Sequence, residues 1–75
     1  MNGVIYRVSE EKIASGDGVR TAYGVVAESD SMTVLASFDD LFSEREIVES
    51  FVEACNREEL SLLHIGEAIY DLLAS

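Results

Sequence analysis

The stretch FDDLFSEREIVESFVEACNREEL, residues 38–60, is where the spacing of apolar residues changes from alternation to a helical period, and its reading decides the fold. Ser43 followed by Glu46 makes a capping box, in which the hydroxyl accepts from a free backbone amide and the carboxylate reaches back to the cap's own amide. Phe42 and Ile47 stand in the positions of a hydrophobic staple. Beyond them Ile47, Val48, Phe51, Val52, Ala54 and Cys55 share one helical face, with Arg45, Glu46, Glu49, Ser50 and Glu53 opposite. NREEL (56–60) breaks this pattern, and Asn56 is a suitable left-handed residue for the helix end.

Downstream, Ser61 caps a second helix, with Leu60 and Ile65 as its staple. Leu62, Ile65, Ala68, Ile69, Leu72 and Leu73 fall to one side, and His64, Glu67 and Asp71 to the other. A linker this short predicts an antiparallel helical hairpin.

Upstream, the chain reads as strands. VIYRV (4–8) and VRTAYGVVA (19–27) are rich in β-branched and aromatic residues, and SGDG (15–18) between them supplies the glycines of a tight hairpin. A second turn at SDS (29–31) leads into MTVLASF (32–38), which completes an antiparallel meander. Ser9 to Lys12, polar on both alternations, leave the register of the first strand weakly specified. The expected fold is α+β, a three-stranded meander (1–38) followed by two helices on one of its faces (39–75), in the order β-β-β-α-α and within a single domain.

Composition bounds the function. A chain of 75 residues withdraws only about 60% of its unfolded surface on folding, which leaves little room for a deep catalytic cleft. With 48% hydrophobic residues and no proline it is expected to be globular despite a net charge of −10. Residues 39–59 hold eight acids against Arg45 and Arg57, a net of −6 in one stretch. That sign repels phosphate backbones, and five scattered basic residues form no cationic track, so neither nucleic acid nor an anionic membrane is an expected partner. The start, MNGVIYRVSEEK, lacks the basic and then apolar pattern of a secretory signal, and a cytoplasmic protein is expected. The lone Cys55 cannot form an internal disulfide and reads as a buried, inert thiol.

Candidate sites are few. His64, Glu67 and Asp71 lie in line on a helix, which raises a histidine base oriented by carboxylates or a divalent-metal site. Both sets are incomplete, and a polar stripe is what any surface helix carries opposite its core, so no catalytic, metal or cofactor residue is assigned. His64 near the start of the helix reads as having a local structural role. GDG at 16–18 lacks the helix that a phosphate loop needs and is read as a turn. Asp39, Asp40 and Glu44 do not have the spacing of a calcium loop and are read as structural, near a helix start.

The sheet is more informative, because its strands carry apolar residues on both alternations. Two helices cover one face, which leaves the other as a partner surface or a self-association face. Ile5, Tyr6, Tyr23, Val26 and Leu35 are the candidate contact residues.

AYGVVAE (22–28) and the run from Phe38 to Leu73 resemble a domain-of-unknown-function family of small Firmicutes proteins, numbered 6514. The family has a Tyr-Gly before a strand and a closing helix with a histidine near its start and an acid before the final apolar pair. Tyr23, Gly24, His64, Asp71 and Leu72 match, whereas Ala68 stands where a branched residue is usual and Leu62 where proline is frequent. The resemblance implies a bacterial cytoplasmic protein and carries over no functional residue. The sequence thus reads as a small acidic, non-enzymatic interaction or regulatory module acting on a protein partner or as a homodimer. The alternative is a metal-dependent or enzymatic activity on the polar face of the last helix.

Overall fold

A computed structural model describes residues 3–75. The elements follow the order β1 (Val4–Ser15), β2 (Gly18–Ser29), β3 (Val34–Phe42), α1 (Arg45–Arg57), a 3-10 turn (Leu62–His64) and α2 (Ile65–Ala74). The three strands form one antiparallel sheet in the order β1-β2-β3. The fold is therefore α+β.

Every strand runs longer than the apolar pattern predicts. β1 and β2 pair without interruption from Val4↔Ser29 to Ser15↔Gly18, straight through the polar stretch, with Ser9 opposite Gly24 and Lys12 opposite Thr21. The ladder is made by backbone groups, which need no apolar side chains, and a tight turn is enough to keep the strands together. Gly18, at φ 127°, takes the backbone conformation that closes the turn. Twelve residues of strand span about 40 Å, which accounts for the 44 Å long axis. In the far half of the hairpin the polar Glu10, Glu11 and Lys12 are exposed on both faces.

The β2–β3 pairing carries two irregularities, between Ala27 and Glu28 and between Tyr23 and Val25. At the second, β3 advances from Phe38 to Phe42 while β2 advances only from Val25 to Tyr23. The extra residues, with Asp40 at φ 54°, cross directly over Gly24. A Cβ at Gly24 would stand 2.1 Å from the Phe38 carbonyl oxygen and 3.0 Å from the Asp39 Cα, so only glycine fits.

The core lies between the sheet and α1. Tyr6, Val25 and Ala27 from the strands meet Val48, Val52 and Cys55 from α1, and Ile65 and Ile69 join from α2. α1 packs most extensively on β1, less on β2 and least on β3. Leu73, expected on the buried side of α2, is half-exposed.

Helix ends differ from the sequence pattern. α1 begins one residue later than expected, with Glu44 in the extended cap position and no side-chain cap bond, so the Ser43–Glu46 box does not form. Because β3 continues to Phe42, only Ser43 and Glu44 remain to turn the chain, and both stay outside the helix. At the other end Asn56 is helical. Glu59, at φ 50°, takes the left-handed place, with Leu60 N–H donating to the Cys55 carbonyl (2.9 Å) and Glu59 N–H to that of Asn56 (3.2 Å). That pair of bonds is a Schellman motif, moved three residues beyond the expected position. Ser61 does cap, accepting from Leu63 N–H at 3.2 Å, but it caps the 3-10 turn that precedes α2.

Candidate functional site

His64, Glu67 and Asp71 are all exposed, and none of them lines the groove between the helices. Among the described residues no group of three histidine, cysteine, aspartate or glutamate side chains is placed to hold a metal ion. Helical spacing puts the three in line, but one helix face alone supplies neither an orienting group nor an oxyanion donor.

The five sheet residues divide between the two faces. Tyr6 is buried under α1 beside Val25 and Ala27, and Tyr23 packs against the same core with the Arg45 guanidinium 6.0 Å from its ring centre. Neither belongs to an open contact surface: alternation places both on the face that the helix covers. Ile5, Val26 and Leu35 remain outside it, with Ile5 and Leu35 each 43% exposed. Val34 (58%) and Met32 (71%) join them at the β2–β3 end of the sheet. The irregularity between Ala27 and Glu28 sets both Val34 and Leu35 against one β2 residue, an arrangement that no alternation count reveals.

This open face is not uniformly apolar. Arg7, opposite Val26, forms an ion pair with Glu28, opposite Ile5, and so crosses the middle of the face diagonally. At its far end Arg20 holds Asp40 through two bonds, of 3.0 and 2.9 Å. Those bonds draw the Asp40 carboxyl below its ordinary pKa and raise that of the guanidinium. The acid read as structural is thus part of a cross-strand pair. Ser37 donates to Asp39 at 2.9 Å.

The edges of the sheet differ. At β1 the Asn56 carboxamide accepts from Tyr6 N–H (2.8 Å) and donates to the Tyr6 carbonyl (2.9 Å), taking both groups a neighbouring strand would use. The Tyr6 hydroxyl donates to the Leu60 carbonyl at 2.8 Å, tying the same strand to the α1–α2 linker. Burial raises the Tyr6 phenol above its ordinary pKa, with a smaller contribution from Cys55.

A shallow groove of about 190 Å³ lies between the helices, lined by Phe51, Ala54, Cys55, Glu58, Leu60 and Ala68. Burial first, and the charge of Glu58 second, push the Cys55 thiol up, which keeps it protonated and unreactive near neutrality. No helix of the described residues is long and apolar enough to cross a membrane. Comparison of the chain with protein-family models, with curated proteins and with solved structures finds no match.

Proposed function

We propose that this chain is a small acidic protein-interaction module that works without catalysis, and that the open face of its sheet is the contact surface. The observation that supports this reading is the exposure of Ile5, Val34, Leu35 and Met32 together at the β2–β3 end, where covering them would remove apolar surface from water. Its partner is a protein in the bacterial cytoplasm, and α2 folds back beside α1 as a helical hairpin that leaves this face open. The net charge of −10 favours a partner with basic residues around its apolar contact, and it disfavours nucleic acid. The resemblance to the Firmicutes family agrees with such a setting and supplies no activity of its own.

Ile5→Lys puts a charge on the open face without touching the covered core, and Tyr70→Lys does the same on α2, where Tyr70 is already 72% exposed. Partners captured by the wild-type chain should be lost with Ile5→Lys and kept with Tyr70→Lys. Loss with the α2 variant alone would move the contact to the helices and end this reading.

A further inference from the structure

The two edges of the sheet are treated differently, and the difference is informative about a partner. An exposed strand edge offers a row of backbone donors and acceptors to any extended chain, and proteins commonly blunt it with charge or cover. β1 is guarded in both ways: Asn56 occupies both backbone groups of Tyr6, and Glu10, Glu11 and Lys12 follow along the strand. β3 has neither over Val34–Phe38. Those residues, VLASF, are uncharged, and among the described residues nothing pairs with their outer edge.

We propose that a second copy of this chain pairs there, β3 against β3 in antiparallel register about a two-fold axis at Ala36, to form a continuous six-stranded sheet. This rests on the reading of the chain as an interaction module and names one of its partners. The register follows from charge. Centred on Ala36, Leu35 of one copy meets Ser37 of the other on the open face, while Asp39 and Asp40 fall opposite Thr33 and Met32. Sliding the axis toward the C-terminus brings the aspartates of the two copies together, which antiparallel neighbours disfavour. Sliding it the other way runs into the turn, where Met32 has φ 67°.

Each copy carries −10 overall, but little of that charge stands at this edge. Asp40 is already held by Arg20, and α1, which carries Glu46, Glu49 and Glu53, leans toward β1 and away from β3. One irregularity falls at Leu35, inside this stretch, and the other begins beyond Phe38, which limits the new ladder to a short one, so the association is concentration-dependent. A two-fold axis normal to the sheet keeps the helices of both copies on one side and joins the two open faces on the other.

Sedimentation equilibrium of the full chain from micromolar to millimolar concentration tests this, together with amide exchange at the same concentrations. A dimer is expected, with the amides of Val34–Phe38 gaining protection as it forms. Leu35→Lys should weaken the association by about tenfold or more, as charge on a strand edge does. Ser37→Lys, at an exposed position, should do the same and serves if the first variant does not fold. Ile5→Lys, on the open face but not at the edge, should leave the dimer intact. A monomer throughout, or a dimer that dissolves with Ile5→Lys and survives both edge variants, overturns the proposal. An edge-dependent dimer whose partner capture is indifferent to Ile5→Lys upholds the pairing while the open-face function fails.

Discussion

Asn56 shows how one side chain can hold a sheet and a helix together. From within α1 its carboxamide reaches the Tyr6 backbone and closes both bonds that the strand edge leaves open. Replacing it with alanine leaves an amide and a carbonyl without partners at a part-buried site, so Asn56→Ala should destabilise the fold by about 1–3 kcal/mol in urea unfolding. A change below about 0.5 kcal/mol would mean that water satisfies those groups equally well. The residue was visible in the sequence as a poor helix former, and the common explanation, a helix end, is wrong here because tertiary bonding outweighs propensity. Nothing local could reveal the true partner, fifty residues away.

Tyr6 and Cys55 give the same region a pH dependence. Both groups have folded-state values raised above 10.0 and 9.0, so the native state holds their protons more tightly than the unfolded chain does. Their contribution is present in full below about pH 9 and is lost as pH rises through the folded values. Urea midpoints should fall from pH 9 upward, and Tyr6→Phe should remove the part of that slope that sets in above pH 10. An unchanged slope in Tyr6→Phe would assign the alkaline loss to other groups.

Two serines separate what element-level patterns predict from what the chain does. Ser43 has the sequence of a capping box but no cap bond, whereas Ser61 accepts from Leu63 N–H. Ser43→Ala should therefore leave thermal stability unchanged, while Ser61→Ala should cost about 0.5–1 kcal/mol. The reverse ranking would place the start of α1 at Ser43 after all. The cause of the mismatch lies in β3, whose path over Gly24 carries the strand to Phe42 and displaces the helix start. Periodicity located each strand and helix, since alternation and the helical period are properties of local sequence. Strand ends escaped it because β1 continues through residues that are polar on both faces. The same limit applies to the open face of the sheet: Ile5, Val26 and Leu35 follow from alternation, while Val34 joins them only because of a bulge.

At the scale of the whole molecule the charge is unbalanced. Fifteen acids face five basic residues, and three arginines account for the ion pairs among the described residues, which leaves most carboxylates uncompensated. On α1, Glu49 and Glu53 are also like charges four residues apart, a spacing that opposes the helix. Added salt should therefore stabilise the fold, because repulsion over distances near the Debye length, about 10 Å at 0.1 M, is screened along with the few attractive pairs. If screening supplies about 1 kcal/mol, the melting temperature of a domain this size should rise by about 4–8 °C. Binding to the basic partner proposed above should respond in the opposite sense, because the same screening weakens attraction between unlike surfaces. Calorimetric melting and partner binding measured over one salt series should therefore diverge. A melting temperature that falls with salt would show that the arginine pairs outweigh the excess acids. Binding that does not weaken would show that the partner reads the apolar face without the charge around it.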